Sequence, residues 1–276
     1  ISTYSFSLSG TDTSALSINS TSGVISFNSA PNYEVKNSYA VTVEIDDGQF
    51  SSGQETTISI NDVNDSPVIT SASGFNANEN QTGVDTATAT DEDGDTLTYS
   101  ISGSDASSLA VDASSGVLTF DSAPDYETKT SYALTVTVSD GTLDTSQAIT
   151  VSVNNLNDNT PVISSAASLG ADENQTAVDT ATYTDADGAI STYSFSLSGT
   201  DASALSINST SGVIGFNSAP NYEVKNSYVV KVQISDGQFS SDQETTISIN
   251  NLNDNSPVIT SPSFSTEENQ TSVGTA

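Results

Sequence analysis

Apolar and small polar residues alternate strictly along several stretches of the chain: Tyr132-Ala-Leu134-Thr-Val136-Thr-Val138, Ile149-Thr-Val151-Ser-Val153 and Tyr4-Ser-Phe6-Ser-Leu8. One face of each is apolar and the other is Ser or Thr, the period-two signature of strands in a sheet with one wet side. No stretch carries a 3.6-residue period. Gly23, Gly116 and Gly212 each follow a Ser and precede a Val-containing run, which predicts tight hairpins there. Roughly seven short strands per unit predict an all-β fold of two-sheet, seven-stranded sandwiches with Greek-key connections.

The pattern repeats. The segment from Tyr4 to Thr57 recurs almost unchanged from Tyr193, and a diverged copy lies between them. Gly10, Gly103 and Gly199 correspond, as do Tyr33, Tyr126 and Tyr222, and the Asp-Gly pairs at Asp47, Asp140 and Asp236. A spacing of about 93–96 residues is far above that of solenoid repeats, so each unit is a domain. Ile1 matches Ile190, well inside a unit, and the stretch from Pro257 matches the unit starts at Pro67 and Pro161. The expected division is a repeat lacking its first strands (1–65), two whole repeats (66–159 and 160–255) and the opening strands of another (256–276). Such ends suit a window on a longer array. The alternative is head-to-tail assembly, in which 257–276 completes the first repeat of a neighbouring copy by strand addition.

Charge narrows the function. Thirty-five acidic residues against four lysines give a net charge of −31. That excludes non-specific nucleic-acid binding and attraction to anionic lipid, both of which need clustered Lys and Arg. No Cys and no His are present, which removes disulfides, Ser-His-Asp and Cys-His catalysis and makes zinc a poor fit. No apolar run is long enough to span a membrane as a helix. An exported protein without Cys leans towards a bacterial source. The acids are either a solvated surface or cation sites whose carboxylates repel until metal arrives.

Their positions favour cation sites. Each unit gathers acids at a Glu-Asn-Gln (Glu79, Glu173, Glu268), an Asp-x-Asp loop (Asp91 and Asp93; Asp185 and Asp187), a Tyr-Glu pair (Asn32-Tyr-Glu34, Asp125-Tyr-Glu127, Asn221-Tyr-Glu223) and the junctions 62–67, 155–161 and 251–257. A single Asp-Gly is ordinarily a turn, but four clusters recurring at matched positions are not explained that way. Calcium takes six to eight oxygens at ~2.3–2.6 Å, more than one short loop supplies, and the loops of a sandwich converge at its poles.

In this order and spacing the residues resemble the cadherin family over essentially the whole chain. The resemblance implies cadherin-like, immunoglobulin-like sandwiches joined end to end, with calcium chelated at each junction. One junction would then use Glu34, Asp62, Asn64, Asp65 and Ser66 with Asp91, Asp93 and Asp140. The next would use Glu79, Asp125, Glu127, Asn155, Asn157, Asp158 and Asn159 with Asp185, Asp187 and Asp236. The last would use Glu173, Glu223, Asn251, Asn253, Asp254 and Asn255. Ser66 and Asn159 would act through backbone carbonyls. Asn replaces Asp at 32, 155, 221 and 251, removing formal charge, and the first junction is one residue shorter before its Pro. There is no Trp for the strand-exchange docking of classical animal cadherins.

The function expected is non-enzymatic: a calcium-stiffened adhesion or filament segment, extracellular or at the cell surface, in a bacterial-type adhesin. Its partners are calcium ions, neighbouring repeats or copies of itself, and a cell-surface protein or glycan, with no nucleic acid and no membrane insertion. The alternative is a calcium-dependent carbohydrate-binding module, which needs exposed aromatics beside an ion. Lys36, Lys129 and Lys225 read as solvated turn lysines rather than isopeptide cross-link partners. Asn19-Ser-Thr21 and Asn80-Gln-Thr82 fit the glycosylation sequon weakly.

Overall fold

In the computed structural model, which describes residues 4–188, 192–260 and 263–275, the alternating segments are strands, with Tyr4 just outside the first. The matched pair Ile1 and Ile190 lies outside the described residues. The chain divides into two compact units, Ile1–Asn154 and Asn155–Ala276.

The first unit holds two sandwiches. The first has β1 (Ser5–Ser9), β2 (Leu16–Ile18), β3 (Ile25–Phe27), β4 (Ser38–Asp46) and β5 (Ser51–Ser59), in sheets ordered β1-β4-β5 and β2-β3. The second has β6 (Val68–Ile69), β7 (Gly74–Asn78), β8 (Gly83–Thr86), β9 (Ala89–Thr90), β10 (Thr98–Ser102), β11 (Leu109–Val111), β12 (Val117–Phe120), β13 (Ser131–Ser139) and β14 (Asp144–Asn154). Its sheets run β10-β13-β14-β7 and β11-β12-β8, with β6 paired to β9. The opening strand changes partner, from β9 for its first part to a parallel pairing with β14 for its second, in which Phe75 faces Val151. The next strand is interrupted at Ala87, whose N–H bonds to the Gly116 carbonyl at 2.9 Å. Nine segments therefore make the expected seven strands, the first two each in two parts.

The second unit repeats this plan with β15 (Val162–Ile163), β16 (Ser168–Asp172), β17 (Ala177–Thr180), β18 (Tyr183–Thr184), β19 (Ser194–Ser198), β20 (Leu205–Ile207), β21 (Val213–Phe216), β22 (Ser227–Ser235) and β23 (Ser240–Asn250). Its sheets are β16-β23-β22-β19, β17-β21-β20 and β15-β18.

Alternation sets the core. In β13 and β14, Leu134, Val136, Val138, Ile149 and Val151 are buried, while the Ser and Thr between them are half-buried or exposed. The hairpin glycine is required by its surroundings. Gly116 has φ +73°, and a Cβ there would lie 2.2 Å from the Ala87 carbonyl oxygen. Among the described residues the first sandwich has no counterparts of β6–β9, and its core is more open. Val43, Ile45 and Ile58 are half-buried where their counterparts Val136, Val138 and Val151 are buried.

The opening strands expected in 256–276 do not form among the described residues beyond Asn250. Val258 and Ile259 stand exposed there. Their counterparts 68–69 and 74–78 pair with residues 89–90 and 150–154. The lysines also differ from the expected solvated turns. Lys36, Lys129 and Lys225 form ion pairs with Asp12, Asp105 and Asp201, and lie over the rings of Tyr39, Tyr132 and Tyr228 at 4.9, 4.5 and 4.7 Å. The other oxygen of each Asp accepts the N–H of Ala40, Ala133 or Val229, so each lysine clasps a loop to a strand.

Candidate cation sites

The Glu-Asn-Gln element is a left-handed turn. Asn80 and Asn174 have φ of 61° and 62°, a region Asn tolerates better than most residues. Their N–H groups bond to the Pro124 and Pro220 carbonyls at 3.0 Å. The turn directs the preceding glutamate inward, and Glu79 and Glu173 are fully buried. Glu79 Oε2 accepts from Tyr126 N at 2.8 Å, and Glu173 Oε2 from Tyr222 N at 2.9 Å. Glu173 Oε1 also accepts from Leu252 N at 2.7 Å. Glu79 and Glu127 offer oxygens within 4.8 Å of each other, as do Glu173, Glu223 and Asp254 among themselves. Burying carboxylates in such groups is costly without a compensating positive charge.

In the first unit the linker 62–66 meets the Asp-x-Asp loop. Oxygens of Glu34, Asp62 and Asp93 lie within 4.8 Å of one another, and a second group joins Asp91, Asp93 and Asp95. Asp65 N donates to Asp93 Oδ2 at 2.7 Å. Like charges crowd here. Burial, then Glu92, Asp93, Asp91 and Asp62, raise the Asp65 carboxyl above its ordinary value. A bond to its own backbone N–H lowers Glu34, but burial together with Asp62 and Asp93 outweighs it, leaving Glu34 raised. Asp140 is lowered, first by the N–H of Leu143 and next by the side chain of Asn64.

In the second unit Asp187 is buried and receives the linker. Its Oδ2 accepts from Asp158 N and Asn159 N at 3.1 and 2.8 Å, and its Oδ1 from Asn159 Nδ2 at 2.7 Å. Asn155 Nδ2 donates to the Asp187 carbonyl at 3.0 Å. Burial works to raise the buried Asp236, yet the N–H groups of Phe239 and Gln238 and the Asn157 side chain hold it below its usual value. Asp185 Oδ1 accepts from Asp187 N at 3.1 Å.

One observation tests whether these residues suit a cation. Among the described residues, five buried side-chain polar atoms lack a hydrogen-bond partner. Four of them are Asp91 Oδ2, Asp93 Oδ1, Asn155 Oδ1 and Asp185 Oδ2, and the fifth is Thr245 Oγ1. Orphaned buried acceptors need an explanation, and a bound ion is one. All four are oxygens, in sets of carboxylate and amide donors, and so fit a hard divalent cation.

Other expected ligands are differently engaged. Asp125 caps its own turn, accepting from Thr128 N and Oγ1, and Asn32 and Asn221 cap theirs through Val35 N and Val224 N. Asn at that position keeps the cap that Asp makes. Ser66, Asn251 and Asn253 are exposed, and Asn255 Nδ2 donates to Asp254 Oδ1. Sequence reading missed Asp95, whose Asp-Gly-Asp context was visible. It also missed the clasp aspartates, although Asp12, Asp105 and Asp201 recur two residues after the matched glycines. Tyr193 was missed too: its hydroxyl donates to the Gly188 carbonyl, beside Asp185.

Residues 74–154 match the family model described as Cadherin domain. Human Protocadherin-23 is 33% identical over 189 residues, covering 63% of this chain, and human Protocadherin Fat 1 is 27% identical over 275 residues, covering 90%. The chain spans 6% of the length of each. The solved structure of mouse cadherin-23 EC22-24 is similar with a TM-score of 0.62 and 22% identity, covering 91% of this chain and 87% of that one. The protocadherin gammaB7 EC3-6 cis-dimer structure aligns with a TM-score of 0.64 and 25% identity, covering 96% and 71%.

Proposed function

We propose, from the match of residues 74–154 to the Cadherin domain model, that the chain is a calcium-binding segment of an extracellular adhesion protein built from cadherin repeats. It has no enzymatic role in this reading. The orphaned oxygens of Asp91, Asp93, Asn155 and Asp185 carry the proposal, because they fall within the sets that the repeat pattern marks as cation ligands.

In the first unit, Glu34, Asp62, Asn64, Asp65, Asp91, Asp93 and Asp140 would hold the ions, with the carbonyl of Ser66. In the second unit, Asn155, Asn157, Asp158, Asn159, Asp185, Asp187 and Asp236 form one set and Glu173, Glu223, Asp254 and Asn255 another. Glu79, Asp125 and Glu127 supply the remaining acids. Bound calcium would supply positive charge that relieves the crowding of Asp65 and Glu34. An ion shared between the 62–66 linker and the loops of the first two sandwiches would stiffen that linker.

The partners proposed are other copies of the chain, adjoining repeats or a cell-surface ligand. Among the described residues no helix is long and apolar enough to cross a membrane. The leaning to a bacterial source rests on the absent cysteine alone, and the curated relatives are animal proteins. A carbohydrate-binding reading has one observation in its favour: Tyr183, 36% exposed, packs on Tyr193 near Asp185. A glycan array read with calcium and with chelator tests it. The adhesion reading is tested by bead aggregation with the chain immobilised: aggregation or cell capture should require calcium, and its absence under both conditions counts against adhesion.

A further inference from the structure

Tyr193 sets the third sandwich apart from the second. Strand register equates Phe195, opposite Ile234, with Tyr99, opposite Val138, so Tyr193 stands where the second sandwich has Leu97. Leu97 packs on the apolar core. Tyr193 also packs on its core, but its hydroxyl reaches back to the Asp-x-Asp-Gly loop and donates to the Gly188 carbonyl. The ring is fixed from the other side by Tyr183, at 4.3 Å between centroids, and Tyr183 in turn meets Phe195 edge-on at 5.8 Å. A phenol held this firmly constrains the loop it touches.

That loop carries Asp185, whose Oδ1 is used internally by Asp187 N and whose Oδ2 is buried without a hydrogen-bond partner.

We propose that Tyr193 is a positioning residue for a divalent cation at the third sandwich: it pins the Asp185–Gly188 loop so that Asp185 Oδ2 faces the ion. This rests on the calcium reading above. It gives the third sandwich a support that Leu97 cannot give the second. Groups that orient ligands from behind change metal affinity by about 10- to 100-fold. The chain has no Trp, so tyrosine emission is observable, and the Tyr183–Tyr193 pair contributes to it.

The experiment titrates the full chain with calcium chloride alone, following heat and tyrosine emission, for the native sequence, Tyr193→Phe and Tyr183→Phe. Tyr193→Phe keeps the ring and removes the donor. It is expected to weaken one class of site about tenfold, to abolish part of the emission change, and to leave the melting midpoint in chelator close to native. Tyr183→Phe is expected to bind as the native chain does. Native affinity in Tyr193→Phe, or an equal loss in Tyr183→Phe, overturns the role of the hydroxyl while leaving calcium binding intact. Absence of saturable binding by the native chain overturns the calcium reading itself.

Discussion

Asn64 Nδ2 donates to Asp140 Oδ2 at 2.9 Å, across 76 residues of sequence. The carboxylate is already turned by Thr142 N and Leu143 N on Oδ1, at 2.6 and 2.7 Å. In the second unit the side chain of Asn157 likewise lowers Asp236, and Asn159 Nδ2 lies on Asp187. Linker amides thus occupy part of the space around these carboxylates that a cation would share. Asn64→Ala removes the donor and leaves Asp140 Oδ2 less satisfied. The midpoint in chelator should fall, and because Asn64 also belongs to the proposed ligand set, the rise on adding calcium should be smaller than in the native chain. Equal calcium shifts in the two proteins would remove Asn64 from the ligand set.

The buried Glu173 separates a structural role from an ionic one. Glu173→Ala orphans the N–H groups of Tyr222 and Leu252, at a cost of about 1–3 kcal/mol each. Glu173→Gln keeps one acceptor oxygen but loses the charge. In chelator, Glu173→Gln should therefore melt above Glu173→Ala. In calcium, both should lose the extra stabilisation associated with Glu223 and Asp254. A calcium response of native size in Glu173→Gln would remove Glu173 from the ligand set.

The pH dependence has two opposite parts. Asp12, Asp105 and Asp201 are lowered, in each case first by the bond from the clasp lysine. Their stabilisation is complete above the ordinary carboxylate range near 3.9 and is lost as pH falls through the lower folded-state values. Asp65 and Glu34 are raised. The folded state therefore binds more protons there than the unfolded state, and their contribution favours folding as pH falls through the raised values. Without metal, stability should hold or rise on acidification from neutral towards the ordinary range and then collapse below it. Calcium affinity should fall over that first interval, because protons compete for the raised carboxylates. Calorimetry at neutral pH and at a mildly acidic pH checks both signs.

Gly116 and Gly23 occupy the same hairpin position with φ of +73° in both, but different neighbours. Alanine at either meets a left-handed backbone cost of about 1–2 kcal/mol. At Gly116 the new Cβ also collides with the Ala87 carbonyl, whereas at Gly23 it meets only the ring edge of Phe6, at 3.2 Å. Denaturant midpoints should fall further for Gly116→Ala than for Gly23→Ala. The reverse order would mean that the interrupted strand at Ala87 moves aside easily.

Much of the fold was legible because alternation is a local signal: Leu134, Val136 and Val138 face the core as their spacing requires. The buried glutamates were legible too, since Glu-Asn-Gln recurs and Asn suits the left-handed step. What the sequence hid depends on long-range placement. Nothing near Lys129 marks Asp105 as its partner, and Tyr193 reads as a core aromatic until the loop at Gly188 is seen to curl over its hydroxyl. The clasp also bears on the cross-link weighed for the lysines. A ring beneath each ammonium and a lowered carboxyl both favour the ion pair over an amide, so the intact mass should equal that of the sequence with no loss of water.

Calcium titration of the native chain by calorimetry tests the central claim most directly. Saturable binding with dissociation constants on the order of 10⁻⁴–10⁻³ M, as for extracellular modules, is the predicted result, with a melting midpoint that rises in step as a ligand of the native state requires. No saturable heat at millimolar calcium, and one midpoint in calcium and in chelator, would contradict it.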